Sequence, residues 1–132
     1  MHLPRTLVNK LLHQAQVSPE TEVCGLIGAT ARGTVSVYPI ANIAESPDQL
    51  FRMEPSTQIA AMRRMRERGE SLFAIYHSHP HAPAVPSARD LEEAAYPEAL
   101  YLVISLDTKG VLELRGFRLE EGRSQEVELE IL

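Results

Sequence analysis

The sequence predicts a mixed α/β (α+β) domain, a mixed β-sheet of about six or seven strands flanked by two main helices and a short third one. Three observations predict it. Two segments, residues 4–16 and 55–68, repeat apolar residues with helical period and are closed by Ser18-Pro19 and by Gly69. Around them lie apolar or alternating runs of strand length, at 22–29, 33–43, 71–79, 100–106, 111–119 and 127–132. A proline-rich stretch, 80–86, separates the run 71–79 from a new helical pattern, because proline cannot continue a ladder.

In chain order, Pro4 suits the first turn of a helix in which Leu7, Val8, Leu11, Leu12 and Ala15 recur on one face. His13 falls on the polar side and is expected in solvent. Glu22 leads an apolar strand to Ala29, and Ala31-Arg-Gly33 turns the chain into an alternating strand that pairs back as a hairpin. Residues 42–54 read as a loop returning through a short strand at Leu50–Met53. That strand could bind an extended peptide by adding a strand, or the segment could simply be a surface connection.

The long helix runs from Pro55 to Arg68 and should turn Ile59, Met62 and Met65 inward. Its Arg63, Arg64, Arg66 and Arg68 form either a solvated face or a contact for an acidic partner. After the proline loop, a short helix over Leu91–Ala95 ends at Tyr96-Pro97. A buried strand (Leu100–Leu106) and strands over Val111–Leu119 and Val127–Leu132 complete the sheet, joined by turns at Thr108-Lys-Gly110 and Glu121-Gly122.

Composition narrows the classes. The 132 residues suit a single domain, 1–132, large enough to bury a core unaided. Hydrophobic content is 44%, and no apolar run approaches the roughly 20 residues of a membrane span. The start of the chain lacks the apolar core of a secretion signal, and the single cysteine, Cys24, cannot form an internal bridge. Both point to the cytoplasm. A net charge of −5 argues against nonspecific nucleic-acid binding. Base rates favour a homodimer for any oligomer.

The chemistry concentrates at His77-Ser78-His79-Pro80 and Ser87-Ala-Arg-Asp90. On a strand, His77 and His79 project to the same face, so two imidazoles can converge on one ion. Asp90, in the first turn of the following helix, can supply a third ligand, leaving a tetrahedral zinc one open position. Ser87-x-x-Asp90 is equally close to a capping box, which would account for both residues without metal, and the two roles are compatible. Glu22 is either a solvated strand end or a group held at the rim of the core. Because hydrolysis at such a metal needs a base, it is the candidate to take a proton from water. Cys24 shares its face and is either a small buried hydrophobe or a nucleophile.

Pro19-x-x-Glu22-x-x-Gly25-Leu26-Ile27, followed by His77-x-His79-Pro80, six residues and Ser87-x-x-Asp90, resembles the JAMM (MPN-plus) metalloprotease signature. The resemblance spans nearly the whole chain and departs only in one extra residue between Pro19 and Glu22. It implies the JAMM/MPN fold, a cytidine-deaminase-like mixed sheet, with one zinc (Zn2+) per chain held by His77, His79 and Asp90. It also implies Glu22 as general base and acid, with Ser87 helping to hold the oxyanion. Zinc deamination itself is excluded, since one cysteine cannot supply its ligands. Asn42, Phe51 and Pro55 follow the order seen in small bacterial members. Those members imply a metallopeptidase or isopeptidase acting after the C-terminal Gly-Gly of a ubiquitin-like sulfur-carrier protein. Two alternatives remain at this point: a noncatalytic MPN-type protein-binding module, and a cysteine hydrolase using Cys24 with His77.

Overall fold

The computed structural model describes residues 1–107 and 111–132. Its elements are β1 (His2–Leu3), α1 (Arg5–Val17), β2 (Cys24–Ala29), β3 (Val35–Ile40), α2 (Pro55–Glu67) and β4 (Ser71–His79), followed by α3 (Ala88–Glu93), β5 (Leu100–Ser105), β6 (Glu113–Glu120), β7 (Arg123–Val127) and β8 (Glu130–Ile131). Six strands form a mixed sheet in the order β3-β2-β4-β5-β6-β7. The central β4 runs antiparallel to β2 and parallel to β5. β3 pairs back on β2 as the hairpin pattern requires, with Cys24 opposite Ile40.

Alternation along β4 divides the core. Ala74 and Tyr76 face α1, where Leu7, Val8, Leu11 and Ala15 bury their side chains with Leu100, Leu102 and Ile104. Ile75 faces the opposite side, packed with Ala61 and Met65 of α2 and with Leu91 and Ala94 around α3. His77 and His79 continue the Ile75 series, so the period of two places both imidazoles on the α2/α3 face. One close approach locks the α1 side. The Tyr76 hydroxyl donates to Gln14, and a Cβ at Gly25 would overlap that hydroxyl and the Tyr38 carbonyl. Only glycine fits there.

Several sequence expectations are corrected. Leu50–Met53 is no strand: one bridge, Asn42 to Met53, ties the loop instead. Backbone bonds from Ile43 N–H to the Arg52 carbonyl and from Glu54 N–H to the Ala41 carbonyl frame that bridge, and beyond it the Asn42 amide takes over, donating to the carbonyls of Glu22 and Leu50 and accepting from Ala44 and Arg52. Ile59 is 59% exposed, and Ala61 takes the inward position because the buried face of α2 runs through 58, 61, 62 and 65. The last strand of the large sheet is the polar β7 rather than Val127–Leu132, since an edge strand needs no apolar face. Residues 130–131 instead pair in parallel with β1, which the sequence did not suggest. The β6–β7 turn falls at Glu121-Gly122 as expected, with φ of 52° and 73°, the left-handed pair of a two-residue hairpin. The turn expected at Thr108–Gly110 lies outside the described residues.

Candidate metal centre

The pairing of β2 with β4 sets Cys24 opposite His77, so continuing the register brings Glu22 beside His79. The backbone keeps that approach beyond the strand end: Val23 N–H donates to Ser78 Oγ at 2.9 Å, and Ser78 N–H to the Val23 carbonyl at 3.0 Å. β4 ends at His79 and prolines follow. The chain then crosses to α3, whose first turn returns Asp90 to the end of β4.

The result is a tight convergence. His77 Nε2 and His79 Nε2 lie 3.1 Å apart, and Asp90 Oδ2 lies 3.0 Å from the first and 3.2 Å from the second. Glu22, His77 and His79, all buried, also offer ligand atoms within 4.8 Å of one another. Tetrahedral zinc with ligand bonds of about 2.0–2.1 Å has donor-to-donor edges of about 3.3 Å. The two imidazole nitrogens and the Asp90 oxygen therefore have the spacing and chemistry of a zinc ligand set, and the residues fit the ion.

The surroundings prepare each group. His79 Nδ1–H donates to the Pro83 carbonyl at 2.9 Å, which leaves the Nε2 lone pair free for a cation. His77 has no partner at Nδ1 among the described residues, and its ring is held by stacking on Phe51, with centroids 4.5 Å apart. Burial holds His77 below its ordinary pKa despite the raising effect of Asp90, favouring the neutral, ligating form. For His79, burial acts downward but is outweighed by Asp90, the Pro83 carbonyl and Glu22, so its pKa rises. Burial would raise Asp90, yet its bonds to both histidines hold it below the usual carboxylate range.

Glu22 is 4% exposed, and its Oε1 has no hydrogen-bond partner among the described residues. Burial pushes its carboxyl up to about 8. A buried carboxylate aimed at a metal-type cluster without a donor of its own is the arrangement of a proton acceptor. Ser87 is the N-cap of α3: its Oγ accepts from Asp90 N–H at 3.0 Å, while Ser87 N–H donates to Asp90 Oδ2 at 2.8 Å. The capping box and the metal-type cluster thus share Asp90. Capping uses a lone pair of the serine, so its hydroxyl proton stays available to a substrate oxygen in the cleft of about 310 Å³ that Ser87, Glu22 and His81 border.

Cys24 is the candidate the structure sets aside. It is fully buried, its thiol donates to the Ile40 carbonyl at 3.3 Å, and burial with Glu22 nearby pushes its pKa up to about 12. A thiolate is disfavoured there. His13 is exposed, as its polar side predicted. Phe51, Ser78 and Asn42 support the site by stacking and backbone bonds, and no ligating or catalytic signal in the sequence points to them. Only the likeness in order to small bacterial family members marked Asn42 and Phe51.

Residues 4–119 match the model of the prokaryotic homologs of the JAB domain. The chain belongs to that family. It is therefore a JAMM-type peptidase with the JAMM/MPN fold. A "Probable TtuB-protein conjugate cleaving protease" of Thermus thermophilus is 37% identical over 133 residues, spanning 100% of this chain and 83% of the relative. A "CysO-cysteine peptidase" of Mycobacterium tuberculosis is 30% identical over 88% of this chain and 80% of its own length. A "Desampylase" of Haloferax volcanii is 33% identical over 67% of this chain, which spans 66% of that relative. The solution structure of a Desulfitobacterium hafniense protein superposes with a TM-score of 0.81 at 33% identity, covering 100% of this chain and 93% of that one. A JAB1/MPN domain protein from Archaeoglobus fulgidus, at 17% identity and a TM-score of 0.60 over 100% of this chain and 99% of its own, shares the fold. No helix among the described residues is long and apolar enough to cross a membrane.

Proposed function

We propose that the protein is a zinc-dependent peptidase that hydrolyses the amide bond after the C-terminal Gly-Gly of a ubiquitin-like sulfur-carrier protein, releasing a cysteine, a lysine or a peptide extension. The observation that carries the chemistry is the convergence of His77, His79 and Asp90 beside the unpartnered Glu22 carboxylate. The relatives' names, which include a conjugate-cleaving protease, a CysO-cysteine peptidase and desampylases, support the substrate class.

His77 and His79 through Nε2, and Asp90 through Oδ2, would hold one zinc per chain. When bound, zinc supplies Lewis-acid activation of water and of the scissile carbonyl. Glu22 then has two tasks. In the loaded site the nearby positive charge favours its carboxylate form, reversing the effect of burial, and the carboxylate takes the proton of the attacking water. It later returns that proton to the leaving amine. Ser87 donates its hydroxyl proton to the developing oxyanion, and Phe51 excludes water from one side of His77.

The test pairs metal content with turnover on a carrier bearing a C-terminal cysteine or lysine. The purified protein should hold about one zinc per chain, as expected for a three-ligand site. Asp90→Ala and His79→Ala should lose it, and Glu22→Gln should keep it while turnover falls at least about 100-fold. Comparable turnover in Glu22→Gln would remove the general-base assignment, and a parent that takes up no zinc would remove the mechanism.

A further inference from the structure

The arginines of α2 do not act as one cluster. Arg68 leans toward β3, with Nη1 3.5 Å from the Tyr38 hydroxyl. At about 100° per residue, Arg64 lies on the far side of the helix from Arg66, whereas Pro55, Ile59, Arg63 and Arg66 form one stripe roughly 16 Å long. That stripe adjoins a groove of about 550 Å³, bordered by Phe51, Arg52, Met53, Pro55, Tyr96 and Tyr101. Phe51 and Tyr101 also border a smaller cavity of about 40 Å³ that reaches His77 and Asp90. The stripe meets the groove at Pro55, and the shared walls of Phe51, Glu93 and Tyr101 bring the groove up to the cavity at His77 and Asp90.

The charge on this surface is uncompensated. Residues 52–68 carry five arginines against two carboxylates in a chain of net charge −5. One of those carboxylates, Glu54, is committed to capping α2 by accepting from the N–H groups of Ser56 and Thr57. Arg89 beside the groove is paired with Glu93 at 3.1 Å. Arg52, Arg63 and Arg66 are exposed and take part in no ion pair among the described residues. On the stripe between Pro55 and Arg63, Ile59 is 59% exposed, and Tyr96, which borders the groove with Arg52, is 38% exposed. An apolar centre with an unpaired basic rim is complementary to a protein surface with an apolar patch among carboxylates.

We propose that Arg63 and Arg66 beside Ile59, with Arg52 at the groove, dock an acidic face of the carrier protein, so that its C-terminal tail enters the groove past Phe51 and reaches His77 and Asp90. This rests on the carrier-protein reading above and adds to it which face of the enzyme selects the carrier, and by what chemistry. Arg64 and Arg68 take no part.

The test compares Arg63→Glu/Arg66→Glu with Arg64→Glu/Arg68→Glu, two doubles with the same charge change on the same helix end. Their effects on the helix dipole and on net charge are therefore similar. The probes are fluorescently labelled TtuB and CysO, titrated by anisotropy at low and moderate salt, and the same carriers with a C-terminal cysteine as substrates. For the carrier that the parent binds, the first double should weaken binding and raise KM about tenfold at unchanged kcat and zinc content, and the second less than about twofold. Arg63→Gln/Arg66→Gln should shift both in the same direction by less, and parent affinity should fall with salt. Equal effects of the two Glu doubles, or affinity indifferent to salt, would overturn the docking face while cleavage by the parent left the carrier reading standing. A zinc-loaded parent that binds a carrier through this face but cleaves no adduct would instead sink the cleavage reading. Neither binding nor cleavage would overturn both, and a single-stranded oligonucleotide outcompeting the carriers would overturn the protein partner.

Discussion

Replacing Glu22 by glutamine in the metal-free protein isolates what it costs to keep that carboxyl buried. Glu22 is 4% exposed, its Oε1 meets no donor, and burial moves its pKa from 4.5 to about 8. Below the unfolded-state value both states are protonated, and the group makes no difference. As pH rises toward 8 the unfolded chain has released the proton while the folded protein still holds it, so stability falls, and above 8 the loss levels off. Each pH unit in that window is worth about 1.36 kcal/mol, so between about pH 5 and pH 8 this one group removes about 4 kcal/mol.

Glutamine has nearly the same shape and does not titrate. Urea unfolding of chelator-treated parent and Glu22→Gln at the two pH values should therefore give stability lines that diverge by about 4 kcal/mol, the variant being the flatter. The histidines titrate in both proteins; the part of the His79 shift that Glu22 causes is lost in the variant, and the rest cancels in the difference. Zinc should shrink the divergence, because a nearby positive charge favours the carboxylate. Lines that run parallel within about 1 kcal/mol would refute the claim that Glu22 is desolvated, and with it the argument that it is poised to accept a proton.

Three further outcomes follow from the same geometry. Ser87→Ala should keep zinc but lower kcat roughly 100-fold to 1000-fold through the lost oxyanion donor, measured on a carrier adduct, while thermal melting registers a cap loss of about 1 kcal/mol. Gly25→Ala should destabilise by about 3 kcal/mol in urea titration, since its Cβ meets the Tyr76 hydroxyl and the Tyr38 carbonyl; a variant as stable as the parent would show that β2 and β4 can part more easily than their packing indicates. Cys24 should resist iodoacetamide in the folded protein and react only after unfolding, as read by mass, and Cys24→Ser should retain turnover. Activity lost in step with alkylation would restore the cysteine-hydrolase reading.

Much of the site was legible because its residues are close in sequence and sit on regular elements. The period of two fixed His77 and His79 to one face, and the capping pattern placed Asp90 in a first turn, both local properties of the backbone. Element types survived for the same reason. Where local pattern misled, a competing contact decided. Asn42 used its amide to organise the 42–54 loop in place of a strand, and the exposed Ile59 was misplaced because it lies beside the buried stripe of α2 rather than on it.

The sequence by itself determined the mixed α/β class, the ligand-type residues and their order, since these depend on periodicity, punctuation and side-chain chemistry within a few residues. Only the tertiary structure decided that Glu22, separated by more than fifty residues from His77, is buried beside His79 with an unpartnered oxygen, because that depends on the antiparallel register of β2 against β4. It alone split the α2 arginines between the groove side and the rest, and buried Cys24 beyond reach. Register and burial are properties of packed surfaces, and no local pattern encodes which distant partner a surface will meet.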